Sequence, residues 1–311
     1  MKNFTEHKID HDFSNTRIDR WFRQYFEGLS HNNLEKYLRK GFIRVNEKKI
    51  RSSYRLNKGD IIKTSVFINN FLSNDRKIKK IYGSEDFIKK NTLHIDNDLL
   101  VINKPFNLAV QGGTGIKRNL DDLLVSAFSG KKITPRLVHR LDKETSGVML
   151  IALNRKMASH LSNLFKTKNV QKTYWAITEG EPEKTTGEIN INITDDEKKQ
   201  RQKSLTKYNK VLKINDNISW IAFRPITGRT HQIRKHASMS NFPIVGDKKY
   251  GNKNNKIIKF NKLHLHSHSV DFKGLNGDIL HFEAPLPDHM METWVKYNLP
   301  LKLDNDFFIG D

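Results

Sequence analysis

Asp142 is the residue of this 311-residue chain whose surroundings most clearly suggest chemistry. It lies in His139-Arg-Leu-Asp-Lys-Glu-Thr-Ser-Gly147, with Arg140 two positions before it and Lys143 directly after it. Neighbouring cations favour the charged form of a carboxylate. That suits a nucleophile or a base rather than a general acid, although an Asp–Arg pair on a surface turn would read the same way. Val148–Leu153 follows as a short apolar run of strand length. A buried strand is predicted there, with Gly147 at a turn or close approach just before it. Asp142 is therefore expected on a loop at the mouth of a sheet.

Other chemistry-bearing signals are weaker. His264, His266 and His268 alternate and would share one strand face. Three such residues span about 13 Å, too far for one ion without a bulge, so no metal site is expected. Gln111-Gly-Gly-Thr-Gly115 lacks the Gly-Lys-Ser/Thr ending of a phosphate loop and reads as a flexible turn. Glu197–Lys203 reads as a solvated loop whose basic bias could touch RNA backbone. The chain has no cysteine, which excludes disulfides, thiolate zinc sites, iron–sulfur clusters and a cysteine nucleophile.

The charge balance points to a polyanion. Lys and Arg number 55 against 34 Asp and Glu, a net charge of +21, and a field of that sign recruits nucleic acid before most other partners. Met1–Asp12 is polar, so no signal peptide is expected, and no run of 18 apolar residues suggests a membrane span. A cytoplasmic location is the reading that follows. At this length two domains are favoured over one.

The excess charge is concentrated at the front, where residues 1–80 hold 19 Lys and Arg against 9 Asp and Glu. Ile18, Trp21, Phe22 and Tyr25 recur at helical spacing, and Gly28 stops that helix. Ser30 can cap a second helix with Leu34, Tyr37 and Leu38 inward and Gly41 at its end. Phe42–Asn46 and Ile61–Phe67 read as strands. The basic positions between them, Lys36, Arg39, Lys40, Arg44 and Lys48 among them, fit RNA phosphate contacts that position without reading sequence. Residues 68–90 are polar without a sustained period and read as a linker, placed at 76–90 between domains at 1–75 and 91–311. Leu93–Ile95 and Leu99–Ile102, around Asn97-Asp98, read as a hairpin.

Two resemblances sharpen this reading. Arg17-Ile-Asp19, Leu38-Arg-Lys-Gly41, Arg44-Val-Asn46 and Lys58-Gly-Asp60 occur in the order of an S4 RNA-binding domain, which the first segment resembles. His139–Gly147 resembles the catalytic motif of the RluA-type pseudouridine synthases. Lys172-Thr-Tyr174-Trp-Ala176, Thr227-Gly-Arg-Thr-His-Gln-Ile-Arg234, Pro243-Ile-Val-Gly-Asp247, Tyr250-Gly251, Leu263-His264 and Glu283-Ala-Pro-Leu-Pro287 continue the likeness in the family's order.

The resemblance implies an α+β protein: a small S4-like module, then a catalytic domain on a mainly antiparallel mixed sheet. It implies an isomerase that converts uridine in RNA to pseudouridine without cofactor or metal. The N1–C1′ bond breaks, the uracil turns while bound, and C5 bonds to C1′. Asp142 would be the catalytic carboxylate, whether it adds to the ribose, adds to the base or removes a proton. Arg140 would fill the gap left by the flipped base. Tyr174 would stack on the uracil; without the resemblance it reads as a core strand tyrosine. Arg229 or Arg234 would pair with Asp142. Five apart on an extended strand they face opposite ways, and Arg229 is favoured because it follows a turn at Gly228. The other would join Arg140 and His139 in touching RNA. His231 and Gln232 are expected to bond backbone.

The expected partner is 23S ribosomal RNA or a large-subunit precursor, met by a monomer. The alternatives are a synthase for transfer RNA or other ribosomal uridines, and a non-catalytic assembly factor that retains the fold.

Overall fold

The computed structural model describes residues 4–9, 13–26, 29–71, 81–112, 116, 118–131, 133–194, 200–252 and 260–302. The chain divides into two compact units, Met1–Lys80 and Ile81–Asp311.

The first unit holds β1 (Phe4–Lys8), α1 (Ile18–Tyr25), α2 (His31–Lys40), β2 (Ile43–Val45) and β3 (Ile61–Ser65). The strands form an antiparallel sheet in the order β1-β3-β2. Ile18, Trp21 and Phe22 are buried on α1, as their spacing requires, and join Leu34 and Leu38 of α2 in one core. The Ser30 hydroxyl accepts from Asn33 N–H at the start of α2, and Gly41, at φ +73°, ends it. Lys36, Arg39, Lys40 and Lys48 are exposed. Arg44 is half-buried, and its Nε donates to Gly41 O at 3.2 Å, so part of that guanidinium serves the turn. The strand predicted over Ile61–Phe67 ends at Ser65 and passes into a 3-10 helix, Val66–Phe71. Gly28 lies outside the described residues.

The second unit is built on α3 (Ser84–Asn91), β4 (Thr92–Ile95), β5 (Leu99–Lys104), α4 (Leu120–Ala127), β6 (Arg136–Leu137), β7 (Ser146–Ala152) and α5 (Arg155–Lys166). It continues with β8 (Val170–Glu179), β9 (Thr186–Ile189), β10 (Ile193–Thr194), β11 (Arg201–Gln202), β12 (Thr206–Lys213) and β13 (Ile218–Pro225). The last elements are α6 (Gln232–Met239), β14 (Leu265–Lys273), β15 (Ile279–Glu283) and α7 (Asp288–Lys296). Ser84–Asn91 corrects part of the linker reading. Only Phe87 and Ile88 supply its apolar face, and Ser84 Oγ lies 2.9 Å from Ser126 Oγ of α4.

A ten-stranded mixed sheet runs β4-β5-β7-β14-β8-β13-β12-β9, with β15 on β14 and β6 on β7. Every pairing is antiparallel except β7 with β14. The hairpin read at 93–102 is β4 and β5. Strand alternation sends Leu100, Ile102, Met149, Ile151 and Tyr174 to one face, against Leu120, Leu123 and Leu124 of α4 and Ile233 of α6. Leu99, Val101, Val148 and Leu150 go to the other face, against Met157, Leu161 and Leu164 of α5. Further along that second face, Trp175 and Trp220 pack on Met290 and Trp294 of α7.

All seven residues of β7 are buried, as a run covered on both faces demands. Gly147 sits at φ +113°, where a Cβ would lie 2.1 Å from Ser267 O. Only glycine lets β7 and β14 approach this closely. That approach fixes the end of β7 from which the Asp142 loop springs.

Candidate active site

A cavity of about 470 Å³ opens where the Asp142 loop, β8 and the segment from Pro225 to Arg234 meet. Arg140, Asp142, Tyr174, Arg229 and Arg234 all line it, so residues far apart in sequence share one site. Its size suits a single nucleotide rather than a paired duplex.

Asp142 is one-fifth exposed, and its Oδ1 lies 3.8 Å from His231 Nε2. Its loop is closed by Thr145 N–H on Asp142 O at 3.1 Å. Beneath it Lys104, fully buried at the end of β5, donates from Nζ to Pro105 O at 2.9 Å, Leu108 O at 2.8 Å and Lys143 O at 3.3 Å. The last bond ties the Asp142 loop to the neighbouring strand end. Burial pushes the Lys104 pKa down to about 7, against the attraction of Asp142, which favours its charge. Nothing in the composition marks this lysine; a charge at a strand end ordinarily faces water.

Tyr174 is buried on β8, and burial pushes its pKa up to about 12, with Asp142 adding to the rise and a hydrogen bond to Ser267 opposing it. It is a neutral phenol at pH 7 and lines the cavity.

The segment from Thr227 to Arg234 is not an extended strand. Gly228 to His231 turn, and α6 begins at Gln232. The opposite-face argument therefore fails, although the turn that favoured Arg229 is present. Arg229 is exposed, and its Nε donates to Lys203 O at 3.2 Å. Arg234 is buried on α6 and forks onto Asp247, with Nε–Oδ2 and Nη2–Oδ1 both 2.7 Å. Its Nη2 also reaches Glu144 Oε2 at 3.4 Å, two residues past Asp142. Burial opposes the Arg234 charge, but Asp247, Asp142 and Glu144 together hold its pKa above the ordinary arginine value. From this position the Arg234 charge interacts with Asp142, while Arg229 lines the same cavity from its exposed edge.

His231 sits at φ +56°, and its Nδ1 pairs with the Tyr250 hydroxyl at 2.9 Å rather than with backbone. Burial lowers its pKa, against the attraction of Asp142, so the ring is neutral at pH 7. Gln232 does serve the turn. Its Oε1 accepts from Arg229 N–H at 3.0 Å and Thr227 Oγ1 at 2.7 Å, while its Nε2 donates to Leu205 O at 2.9 Å.

His139, expected to touch RNA, lines the cavity and is also tied into the fold. Its Nε2 accepts from Leu150 N–H at 2.8 Å, and its ring stacks on Phe165 at 4.7 Å. Burial, helped by nearby Lys172, pushes its pKa down to about 3. It fastens the motif to β7.

The three alternating histidines are likewise structural. His264 Nε2 pairs with Thr293 Oγ1 at 2.8 Å, His266 Nδ1 with Ser146 Oγ at 2.8 Å, and His268 stacks on Trp175 at 3.5 Å. Among the described residues, no group of three or more His, Asp or Glu is placed to hold a metal ion. Gly113–Gly115 and Glu197–Lys199 lie outside the described residues. No helix among the described residues is long and apolar enough to cross a membrane.

Residues 98–239 match the family described as RNA pseudouridylate synthase. The chain is 35% identical over 297 residues to the ribosomal large subunit pseudouridine synthase C of Rickettsia felis, covering 90% of this chain and 96% of that protein. Identity to the protein of the same name from Haemophilus influenzae is 31% over 304 residues, 92% of each. Among solved structures, human RNA pseudouridylate synthase domain containing 4 superposes with a TM-score of 0.61 at 29% identity, covering 72% of this chain and 99% of that one.

Proposed function

The chain belongs to the RNA pseudouridylate synthase family, in its RluA-type branch, and on that premise we propose that it converts specific uridines of 23S ribosomal RNA to pseudouridine. The names of the relatives point to the large ribosomal subunit. The observation that carries the catalytic reading is the meeting of Asp142, Tyr174 and Arg234 in one nucleotide-sized cavity.

In this reading a uridine leaves the RNA stack and enters the cavity. Base flipping costs a few kcal/mol, and exposed Arg140 at the rim fills the vacated space with its planar cation. Tyr174 supplies the stacking surface and remains protonated. Asp142 is the carboxylate at the reacting centre. Arg234, anchored on Asp247, keeps positive potential beside it without being consumed in a direct pair. Lys104 holds the loop in place. The N1–C1′ bond breaks, the uracil turns, the C5–C1′ bond forms, the C5 proton leaves and N1 takes up a proton. The substrate is isomerised, so the balance requires no cofactor.

The first unit reads as an S4-like RNA-binding module and the second as the catalytic domain. Exposed Lys36, Arg39, Lys40 and Lys48 supply phosphate contacts, and a cytoplasmic monomer suffices for the task. Incubation with protein-free and partly assembled 23S RNA, followed by mapping of pseudouridine, tests this reading. Discrete modified positions are expected; none in either substrate would refute the 23S assignment.

A further inference from the structure

β8 places Val170, Lys172 and Tyr174 at alternate positions, and all three line the cavity. Two residues along a strand are about 6.8 Å, the scale of the distance from a nucleobase to a flanking phosphate. A uracil stacked on Tyr174 would therefore bring a phosphodiester toward Lys172.

Lys172 is suited to receive one. Its Nζ lies 5.9 Å from the centre of the Phe165 ring, which itself backs onto His139 at 4.7 Å. Among the described residues it has no carboxylate partner and no hydrogen-bond acceptor. Burial alone lowers its pKa. Lys104 provides the contrast: fully buried where Lys172 is half-buried, it is saturated by three carbonyls. An ammonium stripped of water and left without an anion is costly in the free protein. Lys166, Lys168 and Arg140 line the same cavity, and its carboxylate, Asp142, has no ion pair or electrostatic interaction with Lys172.

Resting on the RNA reading above, we propose that Lys172 binds the backbone phosphate beside the target uridine and so forms a phosphate subsite of the cleft. The partner anion is supplied by the substrate. Lysine suits this as a compact point charge, and the cation is desolvated in advance of the contact it makes.

The test compares full-length wild type with Lys172→Met, which keeps the stem and removes the charge. KM for 23S transcript should rise about tenfold while kcat changes less than twofold. The slope of log affinity against log salt should fall by about 0.7–0.9, the share of one phosphate. The thermal midpoint should hold or rise, because an unpaired half-buried charge is gone. In a synthetic RNA carrying the mapped target, a neutral methylphosphonate beside the uridine should weaken wild type and leave Lys172→Met no worse. An unchanged salt slope, or an equal methylphosphonate penalty in both proteins, would overturn the subsite. A lowered midpoint with unaltered KM would show a packing role instead. Failure of wild type to modify 23S RNA would count against the substrate reading, while the salt slope of binding would still decide the role of Lys172.

Discussion

Arg234 grips Asp247 through two 2.7 Å hydrogen bonds in the wall of the cleft, and both side chains are almost wholly buried. The pair fixes α6 against the loop after Ile244, and it aims the remaining positive field at Asp142 and Glu144.

Breaking this pair should be costly in two ways. Arg234→Lys loses the fork and leaves Asp247 under-satisfied, so stability should fall by about 1–3 kcal/mol. Turnover should fall with it even at temperatures where the variant is folded. Arg229→Ala removes an exposed side chain and should shift stability by no more than about 0.5 kcal/mol. Chemical denaturation and single-turnover rates on the two variants check the contrast; equal losses would contradict the assignment of Arg234.

Lys104→Met should separate positioning from binding. Three carbonyls lose their donor, and the Asp142 loop loses its tie through Lys143 O. Turnover should drop roughly 10²-fold, the scale of a small misplacement of a reacting group, with RNA affinity unchanged. Because the folded-state pKa is depressed to about 7, the unfolded chain binds more protons above that pH. Stability of the wild type should therefore gain a rising component between about pH 7 and 10. Denaturation midpoints across that range should lose this component in Lys104→Met.

Acid should weaken the second unit before it protonates ordinary carboxylates. Burial pushes His139 and His268 down to about 3 and His264 and His266 down to about 4. In the unfolded chain these rings take protons near pH 6.5, so stability is full above that value and is lost as pH falls toward 4. Thermal midpoints should decline through this window, and His139→Gln should decline less steeply. A flat profile from pH 7 to 4 would show that the four rings are not buried as described.

Gly147→Ala should be among the most damaging single-methyl additions. The new Cβ would meet Ser267 O at 2.1 Å on a backbone at φ +113°. A loss of about 3 kcal/mol or more is expected from the clash and strain combined. Soluble yield and urea midpoint are the readouts.

Periodicity carried the elements whose buried residues are apolar. The inner faces of α1 and α2, the β4–β5 hairpin and the strand β7 follow from spacing and composition alone. It failed where polar residues are buried. In α6 the inward residues include Gln232, Arg234 and His236, each held by hydrogen bonds, so the apolar stripe is reduced to Ile233 and Ala237 and the helix is disguised. Lys104 and Lys172 look like surface charges in sequence, and only the tertiary fold buries the first and half-buries the second. The Arg234–Asp247 pair joins residues whose proximity depends on the loop after Ile244, which no local pattern specifies. The motif resemblance brought Asp142, Tyr174 and the choice between Arg229 and Arg234 into view together, with Arg229 favoured, but their geometry had to come from the sheet that assembles them.

The most direct test of the account is release of tritium from 23S transcript labelled at uracil C5, measured for wild type beside Asp142→Asn. The C5 hydrogen must leave when C5 becomes the glycosidic atom. Wild type should release it, and the nearly isosteric variant should bind RNA with similar affinity and release none. Release by Asp142→Asn at a rate comparable to wild type would contradict the catalytic role of Asp142.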